Sequence, residues 1–331
     1  MQLSYAQNLE DYHLDLVFGD RPTGTYVDVG GGHPVADNVS FWFYLKGWRG
    51  LVVEPQQALA DIYAGVRPRD RTVSCLAGRV EGEAEFHVVD RLHGFSTMMQ
   101  EHAAGASRFG AGYTTIRKPV RTLASLCAEA GIARIDFLKI DVEGAEAEVI
   151  AGMDFTRWRP RVVVVEAIAP GSMAEAWASW EPALIAAGYR FCFFDRLNRF
   201  YVADEEAELA ERFPPEPAPW DKVQHLWDFG RALERADHPD HALSKVLQAG
   251  LLALLPALDP ALLERLVVRG LEAAGAGPGA AGGGCIGELI GTAELPRERS
   301  PARDLAELLQ TDELRAALGR IACRYDGGLP D

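Results

Sequence analysis

Tyr26-Val-Asp-Val-Gly-Gly-Gly-His-Pro34 runs from an apolar stretch straight into three glycines, and its reading decides the fold of the first two hundred residues. Thr25–Val29 has the valine-rich, aromatic-bearing character of a buried strand, with Asp28 as its one charged residue. Glycines at the carboxyl end of a strand let the backbone turn sharply and admit a ligand where a Cβ would collide. In an open α/β sheet that edge is where ligands bind. Gly30, Gly31 and Gly32, with Asp28, are therefore candidate cofactor-binding residues.

Working outward, the next apolar stretch, Gly50–Glu54, ends in an acid. Glu54 stands where an acid at the end of a second strand accepts the ribose hydroxyls of an adenosine. Taken alone, the glycines are equally compatible with a tight turn and Glu54 with a surface acid; together they favour a nucleoside cofactor. A dinucleotide site requires the glycine loop to enter a helix N-terminus that holds pyrophosphate. Here His33-Pro-Val-Ala-Asp37 intervenes, which favours S-adenosylmethionine, a nucleoside without phosphate.

Further strands are predicted at Thr72–Leu76, Ile135–Ile140, Arg161–Glu166 and Arg190–Phe194, with helical patterns at Val39–Lys46, Leu123–Ala130, Ala145–Ala151 and Met173–Ala187. This alternation predicts an α/β fold with a parallel sheet and helices on both faces. Asn198–Val202 follows Arg190–Phe194 across a short turn, a hairpin that places an antiparallel strand near one end of the sheet. Glu83–Val89 and Lys118–Thr122 interrupt the alternation as a local insertion or extra pairing. The strand before Asp141 leads into three acids, Asp141, Glu143 and Glu146, around Gly144. Acids this close are costly unless exposed or paired. Asp141 is read as a site residue: a base, a partner for an ammonium group or a metal ligand. Glu146 is read as a first-turn acid complementing the next helix's dipole, and Glu143 is compatible with either role. Glu166 closes the following strand, as a substrate-side acid or a plain strand-end residue.

The 331 residues are 48% hydrophobic and 24% charged, an ordinary globular composition. A formal charge of −15 with no Lys/Arg run argues against nucleic acid and anionic membrane as partners. No secretory signal or 18-residue apolar span is visible, so a cytoplasmic location without membrane insertion is expected. Five scattered cysteines without C-x-x-C spacing argue against a zinc site. Beyond about Asp204 the character changes. A proline-rich connector, Phe213-Pro-Pro-Glu-Pro-Ala-Pro-Trp220, precedes helical patterns at Trp220–Ala236, His241–Leu255, Pro260–Ala274 and Ala302–Ile321, with a Gly/Ala loop at Gly275–Gly284. The expected domains are residues 1–205, catalytic, and 206–331, a connector and helical appendage open to a homo-oligomeric or protein partner.

In order along the chain, Ser4-Tyr-Ala-Gln-Asn-Leu-Glu-Asp11, Tyr26-Val-Asp-Val-Gly30, Gly47-Trp-Arg-Gly-Leu-Val-Val-Glu-Pro55, Gly94-Phe-Ser-Thr97, Asp136-Phe-Leu-Lys-Ile-Asp-Val-Glu-Gly-Ala-Glu146, Arg159-Pro-Arg-Val-Val-Val-Val-Glu166 and Leu197-Asn-Arg-Phe-Tyr-Val202 resemble the FkbM-type methyltransferases. The resemblance covers roughly residues 1–205. It implies a class I methyltransferase, Rossmann-like fold with a mostly parallel seven-stranded sheet and an antiparallel strand near one edge. It also implies S-adenosylmethionine as donor and O-methylation, often of sugar hydroxyls in glycans, polysaccharide precursors or glycosylated metabolites, and members with such an N-terminal segment often accompany polysaccharide biosynthesis. Two departures stand out: Gly-Gly-Gly-His-Pro after Asp28 where the family more often has Gly-Ala-x-x-Pro, and Arg196 where it commonly has glycine.

Removing the proton of an alcohol acceptor requires a base, and Asp141, Glu143, His33 and His93 are the candidates. His33 is also compatible with a hydrogen-bonded turn residue. Gln7 and Asn8, ahead of the first strand, are candidates for closing the cofactor pocket, or else cap and pack a short helix. Mg²⁺ is compatible with oxygen ligands from Asp141, Glu143 or Glu166 but is not required. The rival functions are a non-catalytic scaffold on a degenerate fold and an NAD-dependent oxidoreductase.

Overall fold

The β-branched runs form the centre of a sheet. The computed structural model describes residues 3–89, 96–99, 104, 112–169, 174–254, 262 and 269. They belong to two compact units that divide between Arg231 and Ala232, so residue 205 lies inside the first. In chain order the first unit contains β1 (Leu3–Ser4), α1 (Glu10–Phe18), β2 (Thr25–Val29), α2 (Phe41–Leu45), β3 (Arg49–Val53), α3 (Gln57–Val66), β4 (Arg71–Val73), β5 (Leu76–Ala77), β6 (Gly82–Val89), β7 (Tyr113–Arg121), α4 (Leu123–Glu129), β8 (Phe137–Ile140), α5 (Glu146–Ala151), β9 (Val162–Glu166), α6 (Glu181–Ala186), β10 (Tyr189–Phe194), β11 (Asn198–Ala203), α7 (Ala207–Ala210), β12 (Gln224–His225) and α8 (Leu226–Phe229). In the second unit the helix α9 (His241–Leu254) is described. The expected helices at Pro260–Ala274 (Leu262 and Arg269 apart) and Ala302–Ile321, and the Gly275–Gly284 loop, lie outside the described residues.

The chain is mixed α/β with a large, mostly parallel sheet, in the order β10-β11-β9-β8-β2-β3-β4. Strands β4, β3, β2, β8 and β9 run parallel, so their carboxyl ends share one edge. β11 is antiparallel to β9 and β10 to β11. A residue of a strand alternates between faces, and the core divides accordingly. Val27, Val29, Leu51, Val53, Leu138, Ile140, Val163 and Val165 pack with α4, α5 and α6. Tyr26, Val52, Phe137, Val162, Val164 and Phe200 pack with α1, α2 and α3. Both layers bury apolar side chains, the main favourable contribution to the fold. No helix among the described residues is long and apolar enough to cross a membrane.

Several elements differ from the sequence expectation. Thr72–Leu76 breaks at Ser74-Cys75: β4 stays in the main sheet, and β5 leaves to pair with β7 in a three-stranded sheet with β6. The interrupting strands Glu83–Val89 and Lys118–Thr122 are the antiparallel partners β6 and β7 of that sheet. The Met173–Ala187 pattern yields only a 3₁₀ turn at Trp177–Ser179 and the short α6, with Pro182 at its start. Trp220–Ala236 is not one helix. Gln224–His225 pairs in parallel with Leu3–Ser4, and the His225 ring accepts the Trp227 N–H while the Asp228 carboxylate accepts the His225 N–H. That cap starts α8, and Gly230 at φ 63° ends it. The hairpin turn carries Arg196 at φ 83°, a left-handed backbone that explains why glycine is favoured there.

The polar centre of the α1–α3 face is Arg67, at the end of α3 and fully buried. Its guanidinium pairs with Asp70 (Nη2 to Oδ2, 2.7 Å) and donates to Asn38 Oδ1 (2.8 Å), Ser40 Oγ (2.8 Å), the Tyr26 hydroxyl (3.0 Å) and the Pro34 carbonyl (3.2 Å). Tyr63 and Tyr44 cover it with their rings. Removing one partner of a buried pair strands the other without solvent. Arg67→Ala is accordingly expected to lower the unfolding free energy by about 3–5 kcal/mol in urea denaturation; a loss below about 1 kcal/mol would show that the pair does not hold this face.

Candidate active site

The strand ends β2, β3, β8 and β9 bring the sequence-predicted acids to one edge. After β2 the chain turns through Gly30 at φ 75°, where a Cβ would stand 1.7 Å from the Asp141 carbonyl oxygen. At Gly31 a Cβ would meet Val52 at 2.4 Å. Only glycine lets β2, β3 and β8 converge here. The Gly30 and Gly31 N–H groups both donate to the Val53 carbonyl. At Gly32, φ 58°, a Cβ would meet nothing within 4 Å, so the turn opens to space.

Glu54, 2% exposed, folds under this turn. One carboxylate oxygen accepts the Gly32 N–H at 2.7 Å and the other the Gln56 N–H at 2.7 Å. Burial raises its pKa to about 7, and those two hydrogen bonds oppose the rise. Asn38 ties the turn from the other side, its amide donating to the Gly31 and His33 carbonyls and to the Tyr63 hydroxyl. His33 is half-buried, with Nδ1 accepting the N–H groups of Val35 (3.2 Å) and Ala36 (3.1 Å), the geometry of a turn residue.

Asp28 and Lys139 are cross-strand neighbours in the β2–β8 register. Lys139 Nζ lies 3.5 Å from Asp28 Oδ1 and 3.2 Å from Asp141 Oδ2, and donates to the Gly30 carbonyl at 2.7 Å. Burial alone would lower its proton affinity, but Asp141 and Asp28 outweigh burial and raise it. Asp28 also accepts from Ser40 Oγ at 2.6 Å, and Ser40 accepts from Arg67. A line of alternating charge and hydroxyl thus runs from Arg67 through Ser40, Asp28 and Lys139 to Asp141. Sequence reasoning missed Lys139, Ser40, Asn38 and Arg67. The available signal was Lys139, a charge inside an otherwise apolar central strand.

Asp141, Glu143 and Glu166 gather at the ends of β8 and β9, each half-buried, each offering an oxygen within 4.8 Å of the others. Removal from water, then the Asp141 charge, raises the proton affinity of both Glu143 and Glu166. These oxygens are of the type Mg²⁺ takes. Glu143 sits at φ 57°, and its carbonyl accepts the Thr97 hydroxyl at 2.7 Å, which joins the β6–β7 segment to the acids. Glu146 points elsewhere: its carboxylate accepts the N–H groups of Gly144 and Val142, fixing the turn into α5. His93 lies outside the described residues.

The N-terminal loop reaches the same edge. Asn8 donates its side-chain amide to the Asp195 carbonyl in the β10–β11 turn at 2.9 Å, and Gln7 is exposed. Glu10 accepts from Asn198 Nδ2 (2.7 Å) and the Asn8 N–H (2.6 Å).

The arrangement combines an open glycine turn, a buried acid with both oxygens held by backbone, and a cluster of three carboxylates, Glu143 and Glu166 with raised proton affinity, beside a buried cation. No curated protein and no solved structure matches the chain significantly. Residues 28–191, from the aspartate of β2 to the edge strand β10, match the family described as the methyltransferase FkbM domain. The turn at Gly30–Gly32, Glu54 and the three clustered carboxylates all lie inside that span, and the methyltransferase FkbM domain is the family that residues 28–191 of this chain match.

Proposed function

We propose that this chain is an S-adenosylmethionine-dependent O-methyltransferase whose acceptor is a sugar hydroxyl in a glycan, a polysaccharide precursor or a glycosylated metabolite. The observation that carries the reading is the meeting of the Gly30–Gly32 turn with Glu54 inside the matched methyltransferase domain. The residues fit the cofactor: Gly32 faces open space, and each Glu54 oxygen accepts one N–H and keeps acceptor capacity for a ribose hydroxyl. When bound, S-adenosylmethionine supplies a sulfonium methyl group open to displacement by an oxygen nucleophile.

In this reading the chain's own residues align and deprotonate. Asp28, held by Ser40 and Lys139, fixes the turn that receives the cofactor. Asn8, anchored on the β10–β11 turn, and Gln7 beside it close the edge over it. Asp141 and Glu143 take the proton of the acceptor hydroxyl, with Lys139 balancing the charge of Asp141. His33 shapes the loop, since its Nδ1 is committed to Val35 and Ala36. A scaffold on a degenerate fold has no use for an acid cluster at this edge, and the glycine turn does not run directly into a helix N-terminus of the kind the pyrophosphate of NAD requires.

Calorimetry is expected to detect binding of S-adenosylmethionine and not of NAD; tight NAD binding would end the proposal. Ribose hydroxyls bind the ionised form of Glu54, whose pKa burial raises to about 7. Cofactor affinity is therefore expected to be full above about pH 8 and to fall as pH drops through about 7. Glu54→Gln should flatten that profile and weaken binding about tenfold; an unchanged profile would remove Glu54 from the cofactor site. Asp141→Asn is expected to lower kcat by about 10²–10⁴, with cofactor affinity within about threefold of wild type. Mass spectrometry over a panel of glycan precursors should find one added CH₂ unit. If no glycoside gains it, the sugar acceptor is wrong.

A further inference from the structure

A pocket of about 190 Å³ opens at the amino edge of the sheet, where the parallel strands begin. Arg21 comes shortly before β2 and Arg161 immediately before β9, so both stand across the sheet from Glu54 and the clustered carboxylates. The floor is apolar: Val17 and Phe18 in the last turn of α1, and Leu209 in α7, all buried. Arg161 forms a fixed wall, its Cζ 5.7 Å from the Phe18 ring centre and its Nε and Nη2 each donating to Glu206 at 2.7 Å. Pockets for drug-sized ligands begin at about 300 Å³, so this one has room for a more compact molecule.

Two further arginines, Arg21 and Arg212, line the same pocket. A cation beside the last turn of a helix ordinarily caps the carbonyls left there. Capping uses little of this pair. Arg212 employs Nη1 alone, which donates to the Val17 carbonyl at 2.8 Å and to Asp20 Oδ2 at 3.2 Å. The Phe18 carbonyl takes the backbone N–H of Arg21, and the Gly19 carbonyl takes Lys46 Nζ. The Arg21 guanidinium makes no hydrogen bond among the described residues; its Nη1 stands 3.3 Å from Asp136 Oδ1 as an ion pair. Nε and Nη2 of both arginines are therefore without a partner among the described residues. Arg67, by contrast, spends all three of its nitrogens on protein acceptors.

The ion pairs about the pocket set Arg21, Arg134, Arg161 and Arg212 against Asp20, Asp136 and Glu206, which leaves one positive charge over. One negative charge is matched there; a second would face three carboxylates without compensation. A guanidinium edge fits a carboxylate with two parallel hydrogen bonds, and the apolar floor favours a hydrocarbon body. We propose that this pocket binds a small monocarboxylate with an apolar body. Its carboxylate is taken by the unused N–H groups of Arg21 and Arg212, and its body rests on Val17, Phe18 and Leu209. The site is separate from the candidate active site, and it stands whether or not the chain transfers methyl groups.

The test uses the full chain at constant ionic strength. Butyrate is the probe, butyramide its uncharged counterpart of the same size, and inorganic phosphate the multiply charged comparison. Saturation-transfer NMR reads binding, and thermal melting reads the stabilisation that a ligand of the folded state confers. Wild type is expected to bind butyrate at least about tenfold more tightly than butyramide or phosphate. Arg21→Gln should weaken butyrate about tenfold while moving the melting temperature of the free protein by less than about 4 °C, since that side chain makes one loose ion pair. Arg212→Lys keeps the charge but not the planar fork, and should weaken butyrate by a similar factor. The inference is overturned if wild type does not bind butyrate, if butyramide or phosphate binds as tightly, or if either variant binds butyrate as wild type does. The comparison of the three probes on wild type needs no variant, so it decides the question even where a substitution prevents folding.

Discussion

A lysine and an aspartate lie side by side on the two central strands, in a layer otherwise filled by valine, phenylalanine and tyrosine. Neither charge tolerates that position alone, since a buried ion without a partner costs several kcal/mol. Together, with the Gly30 carbonyl and Asp141 taking further donors of Lys139, they become the point from which the carboxyl edge is built. The glycine turn must bring its carbonyl to Nζ, and β8 must end so that Asp141 does the same. The β2–β8 register is fixed by charge as well as by apolar alternation, because a one-residue slip would face each ion with a hydrocarbon.

From that pair the constraint travels outward through hydroxyl and amide groups. Ser40 passes it from Asp28 to Arg67, and Asn38 links Arg67 to the Gly31 carbonyl. The rim of the crevice is thus held by α2, α3 and the loop after β2 as one network. On the other flank, Glu143 and Glu166 gain proton affinity first because they are removed from water and then because Asp141 lies beside them. The first network is rigid and balanced. The second gathers three carboxylates whose oxygens lie within 4.8 Å of one another, with Lys139 beside Asp141.

Much of this was legible in the residues. Asp28, the three glycines and Glu54 are local pattern: strand, turn, strand, acid, in an order whose geometry is nearly forced. The gathering of Asp141, Glu143 and Glu166 followed from strand ends sharing an edge. What escaped are contacts between residues far apart in the chain, where neither partner is unusual by itself. Arg67 reads as an ordinary helix-end cation, and nothing near it in sequence announces Tyr26 or Ser40. Lys139 was visible inside Phe-Leu-Lys-Ile, yet its role depends on Asp28, which only strand order reveals. Trp220–Ala236 misled because its apolar spacing suits a helix, while the pairing of Gln224–His225 with Leu3–Ser4 overrides that preference.

The same pairing bears on how the molecule is made. Leu3–Ser4 emerge from the ribosome before their strand partner, which follows more than two hundred residues later. The central strands have their neighbours long before then. The N-terminal arm must wait, unsupported by β12, until Gln224–His225 clear the exit tunnel, since domains fold as synthesis proceeds from the N-terminus. The β1–β12 pairing is therefore completed after the central sheet, among the last of the described parts of this unit.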